Sequence, residues 1–236
     1  MKKTLLIIGS SGGLGTALVN HFKNSDYNLA LHYFQNKPDL NLDHVKTYQA
    51  DITIESEVEE LIQKVKADFG RIDMVVHNAG VSRNGMSWKL KQADWDETIA
   101  VNLTGPFLVS KHVIPLMREQ AFGRIVFMSS VVAQTGFVGT SAYAASKAGL
   151  LGLTKTLSKE LAKKNITVNS IALGYFNAGM INDVPDDMQE VLKSNIPTGE
   201  LGDPKQLAHV LESLFADEAG YLTGQTLNLN GGLFTS

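Results

Sequence analysis

The chain has 236 residues and a formal net charge of −3, and 44% of its residues are hydrophobic. This length suits one large domain, and so small a charge gives no global basic surface for nucleic acid. No stretch approaches the roughly 20 apolar residues of a membrane span. The absence of cysteine excludes disulfides and a cysteine nucleophile and fits a cytoplasmic protein. The six histidines show no metal-binding spacing, so no metal site is predicted.

Short apolar runs alternate with helical stretches along the chain. The predicted strands cover residues 5–8, 29–33, 45–49, 74–76, 125–128, 167–172 and 226–228. The clearest helices are predicted at residues 55–69, 94–116, 143–163 and 204–214. Alternation of this kind predicts an α/β fold: one doubly wound, Rossmann-type domain over residues 1–236, with seven mainly parallel strands and helices on both faces. Ligands then bind at the carboxyl ends of the strands.

A glycine-rich turn follows the first strand. Its glycines at positions 9, 13 and 15 permit a tight turn and a close backbone approach before a helical segment. The amino end of that helix offers N–H groups and a positive dipole end to a pyrophosphate. A flexible loop without a ligand is the alternative reading. The order strand, turn and helix favours a dinucleotide site formed by Gly9, Ser10, Ser11, Gly12, Gly13, Leu14 and Gly15.

Tyr143 and Lys147 lie four residues apart in a predicted helix, so both side chains project from one face. A free tyrosine has a pKa near ~10, and a neighbouring ammonium favours tyrosinate and lowers that pKa. A tyrosine tuned in this way can act as general acid and base toward a carbonyl/alcohol pair. Most pairs with this spacing are plain helix surface, so the interpretation depends on the accompanying motifs.

In order and spacing, these motifs resemble the short-chain dehydrogenase/reductase family over essentially the whole chain, and most of all its 3-oxoacyl-[acyl-carrier-protein] reductases. The matching pieces are residues 9–15, 51–52, 78–80, 102–105, 123–126, 129–130, 143–147, 168–172, 221–227 and 230–232. The resemblance implies an oxidoreductase that uses a nicotinamide dinucleotide to reduce a 3-oxoacyl thioester. Another secondary-alcohol dehydrogenase, or a dinucleotide-binding regulator without turnover, is the alternative.

The resemblance also implies the catalytic residues Asn102, Ser130, Tyr143 and Lys147. Ser130 precedes Tyr143 by the family's spacing, and its hydroxyl would stabilise charge developing on the substrate oxygen. Ser129 competes for this role. Asn102 would bend its helix and hold a water that links Lys147 to solvent, while Lys147 would also grip the nicotinamide ribose. The alternatives are strand-end serines bonded to backbone and a solvent-facing asparagine.

Further cofactor contacts are implied along the chain. Asp51 and Ile52 would reach the adenine, although Asp51 precedes a helix and could cap it instead. Small residues at the end of the fourth strand would let the cofactor pass, or form an ordinary turn; they are Asn78, Ala79 and Gly80. Gly174 and Phe176 would lie near the nicotinamide. Two departures from the family pattern, Leu173 for proline and Ala178 for threonine, remove one side-chain anchor of the carboxamide.

Cofactor choice depends on the end of the second strand, where Tyr33 and Phe34 stand in place of an acid. Because a carboxylate there would bind the ribose 2′-hydroxyl, its absence favours NADP(H), with use of NAD(H) left open. Relatives that use NADP often carry a base where this chain has Gly12. His32 and Lys37 are the nearest candidate partners for a 2′-phosphate.

The resemblance finally implies how the chain meets its partners. A segment at about residues 178–202, with prolines, glycines and acids, is expected to form a substrate flap. The substrate that the resemblance implies is an acyl thioester linked to CoA or to acyl carrier protein. Lys163 and Lys164 partly match the family's carrier-binding patch, whereas residues 118–122 lack its run of bases. Apolar positions on the helices at 94–116 and 143–163, and the apolar carboxyl end, predict a homotetramer.

Overall fold

The computed structural model describes residues 1–235, apart from the side chains of Met180 and Asp183. Ser236, the last residue of the predicted domain, lies outside that description. The sheet has seven strands, all parallel, in the order β3-β2-β1-β4-β5-β6-β7. They are β1 Thr4–Ile8, β2 Asn28–Tyr33, β3 Val45–Gln49, β4 Met74–His77, β5 Gly123–Ser130, β6 Ile166–Leu173 and β7 Thr226–Leu229. This confirms the predicted fold class.

Helices cover both faces of the sheet. They are α1 Gly13–Phe22, α2 Glu55–Phe69, α3 Gln92–Ile99, α4 Gly105–Gln120, the single turn α5 Val132–Thr135, α6 Ser141–Leu161, α7 Asp186–Asn195 and α8 Pro204–Phe215. Successive strand residues point to opposite faces. In β1, Leu6 and Ile8 therefore join the apolar cluster under α2, α4 and α6, while Leu5 and Ile7 join the cluster under α1 and α8.

The strand order creates the crevice in which a ligand can bind. β1 pairs with β2 on one side and with β4 on the other, so the chain leaves β1 and β4 in different directions. The carboxyl ends of these strands carry the glycine turn and the segment Asn78-Ala79-Gly80. Open parallel sheets bind their ligands at such a switch point, which places the predicted site residues around one opening.

The predicted helix at 94–116 is not one continuous α-helix. A π-helical turn, Ala100–Thr104, separates α3 from α4. The turn carries Asn102, whose side chain is fully buried and bonded to the main chain of Val81. Because π turns are rare and are frequent at functional sites, this distortion is consistent with a functional role for Asn102. The helical stretch is longer than predicted, Gln92–Gln120, and the π turn interrupts its α-helical hydrogen bonding.

Within the described residues, Gln92–Gln120 is the stretch that is long and apolar enough to span a membrane by length and composition alone. It comprises α3, the π turn and α4. Several of its apolar residues lie in the core beneath α4, among them Val109, Val113 and Met117. Its apolar character therefore has a packing role inside this domain.

Candidate active site

The glycine turn is held between β2 and β4 by two side chains. Gly9 has φ +81°, and a Cβ at this position would lie 2.6 Å from the Cα of Ala79, so only glycine fits. On the β4 side, the Asn78 amide donates to the Gly9 carbonyl at 2.8 Å. On the β2 side, the Gly9 N–H donates to Nδ1 of His32 at 3.1 Å. Both peptide groups of Gly9 are thus fixed by side chains.

The start of α1 has the features of a pyrophosphate site. Its N-cap residue is Gly12, which has no side chain that could cap the helix, and its first turn carries no acidic residue. A Cβ at Gly15 would lie 2.1 Å from the Gly9 carbonyl oxygen, and one at Gly13 would lie 2.2 Å from the Gly179 nitrogen. Backbone therefore fills the space that side chains would occupy. An uncapped helix end beside a narrow backbone cradle fits a dinucleotide.

Lys147 lies in α6 beneath this cradle and is buried. Its ammonium donates to the Met128 carbonyl at 2.8 Å and lies 5.7 Å from the centre of the Tyr143 ring. A Cβ on Gly80 would lie 3.4 Å from this nitrogen, so the lysine reaches the opening between β4 and β5. Burial lowers the pKa of Lys147 to about 8, which leaves the group largely protonated at neutral pH.

The expected effect of Lys147 on Tyr143 is not found. Burial raises the pKa of Tyr143 above its usual value, the Ser130 hydroxyl opposes that rise, and Tyr175 adds to it. The Lys147 ammonium donates to the Met128 carbonyl and does not offset this rise in the pKa of Tyr143. In this state Tyr143 is a protonated phenol at neutral pH, which is the form that donates a proton.

The two serines at the end of β5 have different surroundings. The Ser129 hydroxyl donates to the Lys147 carbonyl at 2.9 Å and is buried, so its proton is used within the fold. The Ser130 oxygen accepts the Val132 N–H at 3.2 Å, which leaves its own proton for another acceptor. The structure therefore favours Ser130, as the sequence spacing did, as the hydroxyl that faces a substrate beside Tyr143.

Asn102 joins three segments of the site. Its amide oxygen accepts the Val81 N–H, and its amide nitrogen donates to the Val81 carbonyl, each at 2.8 Å. The same nitrogen donates to the Ser146 hydroxyl at 3.1 Å, which in turn bonds to the Tyr143 carbonyl. Asn102 is therefore not a solvent-facing residue. It ties the loop after β4 to the turn of α6 that carries Tyr143.

Asp51 and Ile52 lie where β3 gives way to α2. One Asp51 oxygen accepts the Thr53 N–H at 2.9 Å and the Thr53 hydroxyl at 2.7 Å. The N-cap of α2 is Ile54, so Asp51 closes a turn before the helix without capping it. The Ile52 side chain packs against Gly105, so any contact from Ile52 to a cofactor would come from its backbone.

At the end of β2, His32 is not available to a 2′-phosphate. The residue is 2% exposed, and its ring atoms Nδ1 and Nε2 are bonded to the Gly9 N–H and the Ala50 carbonyl. This corrects the expectation that His32 could pair with the phosphate. Tyr33 is partly exposed and Phe34 is 53% exposed, so both remain at the rim where the adenosine ribose would lie. Lys37 lies in the exposed segment that follows.

Gly174 and Phe176 serve packing as well as the predicted site. A Cβ at Gly174 would lie 2.7 Å from the Asn230 Cα, so this glycine is needed where β6 meets the carboxyl-terminal turn. The Phe176 ring packs on Gly202, and the Asn177 N–H donates to the Gly202 carbonyl at 2.9 Å. A carboxamide anchor in this segment would therefore need backbone groups other than the Asn177 N–H.

Sequence reasoning missed two neighbours of the site. His77, the last residue of β4, is buried and stacks on Phe127, and burial and the nearby Lys147 ammonium together lower its pKa and keep the ring neutral. Tyr175 lies close enough to Tyr143 to raise its pKa. The position of His77 directly before Asn78-Ala79-Gly80 was the available signal. Tyr175 carried no comparable pattern.

Comparison with known proteins agrees with the geometry. A family model described as enoyl-(acyl carrier protein) reductase matches residues 8–234. A 3-oxoacyl-[acyl-carrier-protein] reductase of Staphylococcus epidermidis is 34% identical over 99% of this chain and all of its own. One from Thermotoga maritima is 43% identical over 80% of this chain and 77% of its own. An acetoacetyl-CoA reductase of Shinella zoogloeoides is 39% identical over 99% of both chains.

Proposed function

The chain belongs to the short-chain dehydrogenase/reductase family, and from that premise we propose that it reduces a 3-oxoacyl thioester to the 3-hydroxyacyl thioester with a nicotinamide dinucleotide. The observation that carries this proposal is the arrangement of Ser130, Tyr143 and Lys147 at the carboxyl end of β5, beside the glycine cradle. The names of relatives that act on 3-oxoacyl and acetoacetyl thioesters support the substrate class.

The chain's own residues supply orientation and the proton. A reduced nicotinamide, when bound, would supply the hydride for the ketone carbon. As negative charge develops on the ketone oxygen, the Ser130 hydroxyl donates to it and the Tyr143 phenol transfers its proton, which gives the alcohol. Lys147, which is protonated at neutral pH, would hold the ribose hydroxyls and return a proton to Tyr143. It would itself be reprotonated from solvent through a water held at Asn102, as the family resemblance implies. A phenol whose pKa burial has raised suits this direction of reaction.

We propose NADP(H) as the preferred cofactor, with NAD(H) as the second candidate. The rim at Tyr33 and Phe34 carries no acid, so nothing there repels a 2′-phosphate. Because the ring of His32 is already bonded, Lys37 is the nearest remaining basic side chain for that phosphate.

The mouth of the site suits an acyl chain. The loops after β4 and β5 meet where the Gly85 N–H donates to the Gly139 carbonyl at 2.8 Å. Exposed apolar side chains stand on these two loops: Met86, Trp88, Phe137 and Val138. The groove between α4 and α6 mixes three bases, Lys111, Arg118 and Lys164, with the acids Glu119 and Glu160, so it lacks the uniform positive charge that suits an acidic carrier protein. We therefore propose both CoA thioesters and carrier-linked thioesters as substrates.

We further propose one catalytic domain in the cytoplasm, with residues 178–202 as its substrate flap. The base of this segment is tied where the Gly202 N–H donates to the Tyr175 carbonyl at 2.9 Å. Beyond that tie, α7 buries none of its described side chains, while Ile181 is buried beside it. A segment fixed at its base and lightly packed above it can open with little loss of contact.

The test measures the loss of NADPH absorbance with acetoacetyl-CoA as substrate. Parallel assays replace NADPH with NADH, or replace acetoacetyl-CoA with the same acyl group on acyl carrier protein. Turnover of the 3-oxo substrate supports the proposal. Crotonyl-CoA, which offers a C=C bond and no ketone, is the control for the enoyl reductase in the family description. Tight NADPH binding without turnover of any ketone would instead assign the chain to the binding proteins of this fold.

A further inference from the structure

We propose that His32, as the neutral Nε2–H tautomer, is a positioning residue that fixes the glycine turn for the dinucleotide, and that protonation of its ring releases the turn. This inference rests on the proposed function, because it assumes that the turn binds a dinucleotide. It concerns a residue that touches neither the substrate nor the reacting atoms.

The hydrogen bonds determine the tautomer. A backbone N–H can only donate, so the Gly9 N–H at 3.1 Å requires a lone pair on Nδ1. A carbonyl can only accept, so the Ala50 oxygen at 3.0 Å requires a proton on Nε2. Because His32 is 2% exposed, no water can replace either partner at low cost. One uncharged tautomer therefore satisfies both neighbours at once.

His32 joins the ends of three strands at the adenosine side of the crevice. Its ring contacts the turn after β1 and the residue that follows β3. Its own carbonyl accepts the Ser10 N–H at 2.9 Å and the Ser10 hydroxyl at 2.8 Å. The ring thus supports Gly9 from the β2 side, opposite the Asn78 amide on the β4 side. Loss of this support frees the first peptide of the cradle.

The charged surroundings define the effect of pH. From β3 and the residues after it, Tyr48 lies in register with His32 and Asp51 lies beyond Ala50. The Tyr48 hydroxyl is bonded to Asp68, and the Asp51 N–H is bonded to Glu57 of α2. The β1 side contributes Ile8, Gly9 and Ser10, which do not titrate. Burial lowers the pKa of His32, and the Ala50 carbonyl and Asp51 oppose that change. The ring is therefore neutral at pH 7.

Acid reverses this arrangement. A protonated ring places an N–H on Nδ1, directly toward the Gly9 N–H, so that two donors face each other. The turn must then move away or the proton must leave. The affinity for the dinucleotide is consequently highest with neutral His32 and falls as the pH drops through the titration of the ring.

Two substitutions separate the two ring nitrogens. Asparagine brings an acceptor near the position of Nδ1 but cannot reach Ala50, whereas glutamine brings a donor near Nε2 and leaves the Gly9 N–H unpaired. An unpaired buried donor costs free energy on the scale of a tenfold change in affinity. We expect the NADPH Kd of His32→Gln to exceed that of His32→Asn by about tenfold. His44→Gln is the matched control, because the His44 ring bonds the Lys23 carbonyl away from the site.

The experiment measures NADPH binding by fluorescence from about pH 8 to about pH 5 and records the histidine ring tautomers of the free protein by nitrogen NMR. We expect the wild-type Kd to rise in acid, a weaker rise for His32→Asn, and an Nε2–H ring at His32. Equal affinities for the two His32 variants, an undiminished acid effect in His32→Asn, or a different tautomer would overturn the inference. A wild-type chain that binds neither dinucleotide would overturn the proposed function as well.

Discussion

Tyr143 is the side chain on which the proposed proton transfer depends. Because burial raises its pKa, the phenol carries its proton at neutral pH and can give it to the developing alkoxide. Replacing Tyr143 with phenylalanine deletes only that hydroxyl. We expect reduction of acetoacetyl-CoA to slow by about 10²–10⁴-fold, the usual range for loss of a general acid, while NADPH binding changes little. Steady-state kinetics and a binding titration on the same preparation check both expectations.

Tyr175→Phe is the matched control, since it removes a second phenol close to Tyr143. Its rate should stay far closer to that of the wild type. A Tyr143→Phe enzyme with activity near that of this control would show that another group donates the proton.

His77 couples the stability of the domain to pH. Its Nδ1 atom is buried without a hydrogen-bond partner among the described residues, and Nε2 lies 3.3 Å from the Ser110 hydroxyl. Burial, with repulsion from Lys147, lowers the pKa of His77 from 6.5 to about 3. At a pH between these two pKa values, His77 binds a proton in the unfolded chain but not in the folded chain. Acid therefore weakens the fold, by roughly 5 kcal/mol at most once pH 3 is reached.

We predict that His77→Asn makes stability less dependent on pH. Urea unfolding at about pH 7 and about pH 4 should show a smaller loss for the variant, because one proton contributes ~1.4 kcal/mol per pH unit. A variant that loses as much stability as the wild type would place the acid-sensitive group elsewhere.

At the scale of elements, the carboxyl end of β2 determines which dinucleotide is preferred. Phe34 is 53% exposed at this rim, and its carbonyl accepts a bond from Gln49. Phe34→Asp adds a carboxylate where a 2′-phosphate would lie, without disturbing the core. The ratio of kcat/KM for NADPH to that for NADH should fall by about tenfold or more. Asn24→Asp adds the same charge at the opposite end of β2 and should leave the ratio unchanged. Equal ratios for both variants would mean that the 2′-group lies elsewhere.

Most of the inner strands were predictable because they contain short apolar runs, which strands buried on both faces need. The edge strands β3 and β7 mix polar and apolar residues and are only partly buried. The catalytic spacing was predictable because α6 fixes which residues share a face. The π turn was not predictable, since Asn102 is held by Val81 from a distant loop. The structural roles of His32 and Gly174 also depend on contacts between strand ends that are far apart in sequence. The local pattern of apolar and polar residues in the sequence carries no information about such distant contacts.

At the scale of the whole molecule, the predicted homotetramer requires apolar residues that are exposed on the surface of the isolated chain. Two of the apolar residues on the helices predicted at 94–116 and 143–163, Leu108 and Leu150, are buried in the core and cannot form such an interface. Phe107 remains 47% exposed and borders a groove of about 600 Å³ between α4 and α6. In the carboxyl-terminal region, Tyr221 and Leu222 are also exposed. These surfaces suit the two interfaces of a tetramer with two-fold symmetry.

The exposed face of α6 offers a direct test of this assembly. Ala145, Ala148 and Gly152 are exposed there, and a Cβ at Gly152 would meet no atom within 4 Å. Leucine at Gly152 should therefore leave the isolated fold intact, and its better helix propensity should favour α6. In a tetramer the same side chain would hold two α6 helices apart. We expect light scattering to give a wild-type mass near four times 25.6 kDa and a Gly152→Leu mass near half of that, with an unchanged circular dichroism spectrum. A wild-type monomer would refute the tetramer, whereas a Gly152→Leu tetramer would move the interface away from α6.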